Sequence, residues 1–236
     1  MYSRSKTKLI YGVGINDADY PVSKRHLDNG KVVKDWICPY YTIWSHRLEA
    51  CYSKTYHQKY PSYIGCTLDE KWYRFSTFKS WIQEQKQHDV WLKESNLSRE
   101  NKTYNFHLDK DILSDTKIYG PETCVLIPNY INSLLLDSKR ARGDYPLGVS
   151  FNKSLGKFQA NINIKGRNKY LGVFSKPEEA HKKWQIEKSN YISHVVEIYS
   201  SDLYSDQRVI EKLKKISLGL KLSSASNIET KSFKEF

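Results

Sequence analysis

Residues 146–184, PLGVSFNKSLGKFQANINIKGRNKYLGVFSKPEEAHKKW, read as a sheet with one apolar and one polar face, followed by a helix. From Phe158 to Lys165, the side chains of Phe158, Ala160, Ile162 and Ile164 fall on one side of an extended chain, and Gln159, Asn161, Asn163 and Lys165 on the other. The segment before it puts Val149 and Phe151 inward and Ser150 and Asn152 outward. The segment after it sets Leu171 and Val173 against Tyr170 and Gly172. Three short antiparallel strands follow from this pattern, with turns at residues 154–156 and 166–168. Ser175 stands three residues before Glu178, with Pro177 in the first turn, and predicts a capping-box start for a helix whose Ala180 and Trp184 share a face. That helix would cover the apolar side of the sheet and leave the polar side open.

An open face of amides and bases suits nucleic acid, because Asn can pair bidentately with adenine and Lys or Arg can neutralise phosphate. The same pattern also describes a small solvated sheet. Charge favours the first reading: the 236 residues carry a formal +12, with pI near 9.3. That balance also fits a membrane-surface or merely soluble basic protein, but its distribution is uneven. Between Lys139 and Asn190, twelve Lys and Arg face four Asp and Glu, so the excess gathers where the sheet is. A hydrophobic content of 39%, with 14% aromatics, is enough for a core in each of two modest domains.

The chain has no apolar run of about eighteen residues and no hydrophobic leader in MYSRSKTKLIYGVG, which predicts a cytoplasmic protein without a membrane partner. Cys38, Cys51, Cys66 and Cys124 are then expected to be thiols. No CxxC pair is present, so they read as small buried hydrophobes in preference to a structural zinc site.

At residues 137–146, DSKRARGDYP, apolar INSLLL gives way to charge, Gly and Pro, which predicts a linker. Its Lys139, Arg140 and Arg142 suit either the phosphate backbone or a solvated hinge. Beyond Ile198 one helix is expected over residues 206–216, and then a polar, Ser-rich tail over 223–236 that should be mobile.

In the N-terminal half, Tyr41, Trp44, Leu48 and Tyr52 recur at helical spacing, and Phe75, Phe78, Trp81 and Ile82 mark another helix; both stripes read as core. The run TYNFHLDKDILSDTKIYGPETCVLIPNYINSLLL then parses as strand, loop, strand and a helix opening near Pro128, a ββα unit. His107, Asp109 and Asp111 alternate with Leu108 and Lys110 on the first strand, and Asn129 and Asn132 share a face of the helix. A carboxylate and an amide oxygen with open positions for water and a phosphate oxygen suit a hard divalent ion, and a nearby histidine could take the proton of the attacking water.

Two resemblances sharpen these expectations. The order GV…KF.A.I…G…YLG.F..PEEA resembles the APETALA2/ethylene-response-factor type of DNA-binding domain, whose three-stranded sheet lies in the major groove. The resemblance implies groove-facing Ser150, Asn152, Asn161, Asn163 and Tyr170, with Lys157, Lys165 and Arg167 nearby for the backbone. Plant members place arginines and a tryptophan where this chain has Ser150, Asn152, Asn163 and Tyr170, so strong guanine readout through Arg is not expected. The N-terminal half, with W..R…CYS…P.Y.GC…EKW..FS.FK.W and LDKDIL…KIYGPETCV..P..IN, resembles phage-encoded HNH endonucleases of the homing type, many of which append an APETALA2-like module.

Together they imply an α+β protein: an HNH-like helical and ββα-metal domain over 1–136, a basic linker over 137–146, a three-stranded antiparallel sheet packed on a helix over 147–197, and a helix and tail over 198–236. The implied activity is hydrolysis of double-stranded DNA with one Mg2+ or Mn2+. In that scheme His107 is the base, Asp109 and Asn132 hold the ion, Asp111 is a possible extra ligand, and Lys110 or Arg140 stabilises phosphate charge; Thr123 or Glu122 stands where the family orders its loop. The family's histidine follows its ligand Asp directly, and Lys110 occupies that position here. The alternative is a catalytically degenerate DNA-binding or regulatory protein that keeps the HNH scaffold.

Overall fold

A computed structural model describes residues 8–137 and 143–236, and in it the chain divides after Pro128 into two units. The first begins with a hairpin, β1 (Ser23–Asp28) and β2 (Lys31–Ile37), turned by Asn29 and Gly30 at φ 49 and 75°. Both residues occupy the left-handed region that a two-residue hairpin turn demands. Nearly every hairpin residue is exposed on both faces, so its sequence has no burial alternation to betray it.

Helices α1 (Pro39–Tyr52), α2 (Lys54–Lys59), α3 (Phe75–Gln83) and α4 (His88–Ser95) follow. Between α2 and α3 lies the short strand β3 (Thr67–Leu68). The two expected aromatic stripes fall on α1 and α3 and build the core: Trp44, Leu48, Phe75, Phe78 and Ile82 are all buried. The Trp44 indole N–H donates to the Trp72 carbonyl at 2.7 Å, so its polar atom does not spoil the burial. Beyond α4 come β4 (His107–Asp109), β5 (Ile118–Tyr119) and β6 (Val125–Ile127). β4 pairs antiparallel with β6, and β5 pairs parallel with β3.

The second unit starts with a single helical turn, α5 (Asn129–Asn132), much shorter than the apolar run to Leu136 suggests. The expected sheet is present as β7 (Val149–Asn152), β8 (Lys157–Ile164) and β9 (Arg167–Phe174), antiparallel in sequence order. It packs on α6 (Pro177–Ser200), with Val149, Ala160 and Ala180 buried at the contact and Phe158, Leu171 and Phe174 around them. α7 (Gln207–Ala225) then runs back against α6, its first turn capped by the Asp206 carboxylate accepting from the Arg208 N–H at 2.9 Å.

Four local expectations are corrected. The second hairpin turn is Lys165–Gly166, at φ 51 and 79°, one residue earlier than expected, so Arg167 opens β9. A bulge sits where Ala160 pairs with Gly172 and Asn161 with Tyr170, leaving Leu171 as the extra residue. It turns Val173, opposite Gln159, to the outer face and Gly172 to the inner one. No Ser175 capping box forms: the N-cap is Lys176, with Pro177 in the first turn supplying the stop. Finally, residues 223–236 are packed: the first three continue α7, and the rest return along α6 with Thr230 and Phe233 buried and a Ser232/Glu235 capping box at the end.

That tail is held by polar groups inside the unit. The His181 Nδ1–H donates to the Leu147 carbonyl at 2.8 Å, and Nε2 accepts from the Thr230 N–H at 3.0 Å. The Gln185 amide donates to the Ile228 carbonyl and the Thr230 hydroxyl, both at 2.9 Å. Lys188 is buried, its ammonium donating to the Leu134 carbonyl at 2.6 Å, and burial pushes it down to about 8.

Two outcomes follow. Gly148 has φ +76°, and a β-carbon there would stand 2.0 Å from the Trp184 ring. Gly148→Ala should therefore lose about 3 kcal/mol in urea unfolding. Gly156→Ala, at φ +61° with open space around it, should lose only about 1 kcal/mol. Because Lys188 titrates lower when folded, the unfolded chain holds the extra proton between pH 8 and the usual 10.5, and stability rises with pH across that window. Lys188→Met should remove that rise, about 3 kcal/mol in all, from a pH series of unfolding curves.

Candidate functional site

The sheet's outer face gathers the expected polar residues. Pairing sets Ser150 opposite Gln159, Asn152 opposite Lys157, Asn161 opposite Tyr170 and Asn163 opposite Asn168, so all of these lie on the side away from α6. Tyr170 is a large ring that is 57% exposed. Gln159 and Asn168 complete the face although no base-reading role was expected of them; the alternation already placed Gln159 there, whereas Asn168 was hidden by the misplaced turn.

The amides are ordered by one another. Asn152 Nδ2 donates to Gln159 Oε1, and Gln159 Nε2 donates to Asn161 Oδ1, each at 3.3 Å. Asn152 Oδ1 accepts from the Leu155 N–H at 3.1 Å, fixing the first turn. Asn163 Oδ1 accepts from the Gly166 N–H at 2.9 Å, fixing the second. A chain of amides held this way presents donors and acceptors at set spacing, as base-edge recognition requires. Lys165 and Arg167 do not join the face. Lys165 is in the hairpin turn, its N–H donating to the Tyr191 hydroxyl at 3.3 Å, and Arg167 pairs with Ile164 on the side of α6. Both are exposed at the sheet's tip, where phosphate contact is sterically open. Lys139, Arg140 and Arg142 lie outside the described residues.

The second group of expected residues lies around β4. The strand ends at Asp109, and residues 110–114 form a tight turn closed by the Leu113 and Ser114 N–H groups on the Lys110 carbonyl. Asp111 therefore does not share a strand face with His107 and Asp109, a correction to the alternation. It is an exposed turn carboxylate paired to Lys110 at 2.9 Å. Lys110 itself is 4% exposed, and its ammonium also donates to the Thr116 carbonyl at 2.7 Å, so it is committed within the fold.

Asp109 caps the same turn, Oδ1 accepting from the Ile112 N–H at 2.9 Å. Burial pushes its carboxyl above the usual carboxylate range, against the pull of that hydrogen bond and of the Lys110 and Arg47 charges. His107 pairs with Ile127, and its Nε2 is shut off from solvent. Thr123 orders the β5–β6 loop: its hydroxyl accepts from the Gly120 N–H at 2.9 Å and donates to the Ile118 carbonyl at 2.7 Å. Asn132 stands on α5 in the second unit.

Arg47, on α1, was not anticipated. Its guanidinium lies over the Tyr119 ring at 5.2 Å, and the Lys110 ammonium is 5.5 Å from the same ring. Only its W..R spacing before the Cys51–Tyr52 pair was visible in the sequence, and that spacing does not tell a helix-surface arginine from an enclosed one.

The four cysteines are buried free thiols, with Cys51 and Cys124 each pushed up to about 12, chiefly by burial. Cys51 and Cys124 are packing groups at neutral pH. Among the described residues no three His, Cys, Asp or Glu side chains come together as a metal cluster, and no helix is long and apolar enough to cross a membrane. No protein-family model, curated protein or solved structure matches the chain.

Because Asp109 binds its proton more tightly when folded, its ionisation costs stability as pH rises through and above the ordinary carboxylate value. Asp109→Asn keeps an oxygen for the Ile112 N–H and loses that cost. It should be more stable than wild type in urea at pH 7, with the difference disappearing toward pH 3.

Proposed function

We propose that the chain binds double-stranded DNA through the outer face of β7–β9 and acts as a metal-dependent DNA endonuclease of the HNH type, working in the cytoplasm. The observation that carries the binding half is the ordered amide chain Asn152–Gln159–Asn161 on the sheet face away from α6, in a stretch where Lys and Arg outnumber Asp and Glu twelve to four. Ser150, Asn163 and Tyr170 extend that face for base contact, and Lys157, Lys165 and Arg167 serve the backbone. This is the arrangement expected of an APETALA2-like module.

The catalytic half is supported by the strand–loop–strand–helix order of β4, β6 and α5 and by the half-buried Asp109 carboxyl, whose pKa is raised. Asp109 is the residue proposed to hold Mg2+ or Mn2+, which when bound would supply Lewis-acid polarisation of the phosphodiester and an activated water; Asn132, the other ligand implied by the resemblance, belongs to the second unit. The electrostatics around Asp109 are those of a site completed by substrate: Lys110 and Arg47 both act on its carboxyl, so a bare cation is disfavoured there until a phosphate brings negative charge.

One observation favours a second reading, a DNA-binding regulator that retains the scaffold. Lys110 occupies the place after Asp109 as a buried structural cation, and the Nε2 of His107 is sealed from solvent, so neither the Lys110 amine nor His107 Nε2 is placed to take a proton from water. Incubation with phage and host-type DNA in Mg2+ or Mn2+, beside Asp109→Asn, separates the two. Nicks or breaks made by wild type alone establish the nuclease. Binding without cleavage, on DNA shown to carry the cognate site, establishes the regulator.

A further inference from the structure

Arg47 is a half-buried charge in the first unit. Its Nε is out of reach of solvent and has no hydrogen-bond partner, and among the described residues it makes no ion pair. The neighbours of the guanidinium are neutral: Nη2 donates to His46 Nδ1 at 3.4 Å, the Tyr63 hydroxyl is within bonding reach, and the Tyr119 ring lies beneath. Leaving a guanidinium N–H buried without a partner is unfavourable, and such a group calls for an explanation, a bound anion being one. Lys110 converges on the same ring, and the one carboxylate paired with it, Asp111, lies largely in solvent. Two cations therefore meet at Tyr119, with the Asp109 carboxyl within electrostatic reach of both and Asp111 paired to Lys110 at the periphery.

We propose that Arg47, with Lys110 behind it, forms an oxyanion-binding site whose ligand is a phosphate group. On the DNA reading above, which this identification of the ligand rests on, that group is a phosphate of the DNA backbone held close to Asp109. Arginine's planar fork supplies paired N–H donors to two phosphate oxygens, offered here by the Nη groups because Nε has no accessible surface. Lys110 contributes charge and not a direct contact, because its ammonium is already bonded to Asp111 and Thr116. Arg47 is thus a substrate-binding residue distinct from the proposed metal ligands, on a helix that the ββα pattern does not include.

The test uses the full chain and inorganic phosphate, compared with chloride at matched ionic strength. Melting temperature and calorimetric titration are followed for wild type, Arg47→Met and Arg47→Lys. Phosphate should raise the wild-type melting temperature saturably, Arg47→Met should lose that response, and Arg47→Lys should bind more weakly for want of the fork. In chloride Arg47→Met should melt above wild type, since it removes an uncompensated enclosed charge. An equal phosphate response in Arg47→Met would place the anion elsewhere and overturn the proposal. So would a wild type indifferent to phosphate, with Arg47→Met destabilised as expected of a purely packing residue. If Arg47→Met fails to fold, the Arg47→Lys titration decides alone, and affinity equal to wild type overturns the site. Addition of a short duplex separates this from the DNA reading: displacement of bound phosphate supports both, and phosphate that stays bound keeps the anion site and removes DNA as its ligand.

Discussion

The second unit depends on one close approach, the Trp184 indole against the backbone of Gly148. No side chain fits between them, and the +76° φ of Gly148 is what delivers the chain into β7 at that distance. Small residues continue the contact, with Ala160 on the central strand meeting Ala180 on α6, both without exposure. The sheet can then lie flat on the helix, and its other side is left to Asn, Gln and Tyr. The polar face is thus a consequence of how tightly the apolar face is closed.

His181 extends the same node. Its ring stacks on Trp184 at 5.5 Å while its two nitrogens tie the entry to β7 and the returning C-terminal segment to α6. With Gln185, Ser189 and Lys188 also on the inner side of α6, the junction of helix, sheet and tail is polar in its interior, and each of these groups has a backbone or hydroxyl partner. A polar junction of this kind fixes register more sharply than an apolar one, because a shifted tail would leave donors buried without acceptors.

Much of this was legible in the sequence because strict period-two alternation leaves little choice of face, and because aromatic stripes at helical spacing favour a core, as Trp44, Phe75 and Phe78 show. The tail was not legible: Ile228, Thr230 and Phe233 are scattered among polar residues, and their partners His181 and Gln185 lie more than forty residues away. The bulge at Leu171 was invisible for a related reason, since an extra residue leaves the composition of a strand unchanged while reversing the faces beyond it. Around β4 the alternation ran past the true end of the strand, because the turn that starts at Lys110 is set by the Asp109 cap and the buried Lys110 ammonium rather than by Gly or Pro. Arg47 escaped because its importance lies in which partners it lacks, and a sequence does not display missing partners.

Charge links these features to function. In the proposed DNA complex the amides would read sequence and add little affinity, whereas the cations around Tyr119 and at the sheet's tip would attract phosphate without reading sequence. The most direct measurement is an NMR titration of the full chain with duplex DNA, following the side-chain amide resonances of Asn152, Gln159 and Asn161. Binding through the outer sheet face predicts that these three shift together, at one shared affinity that falls steeply with salt. Amide resonances that stay in place while the protein binds the duplex would contradict it.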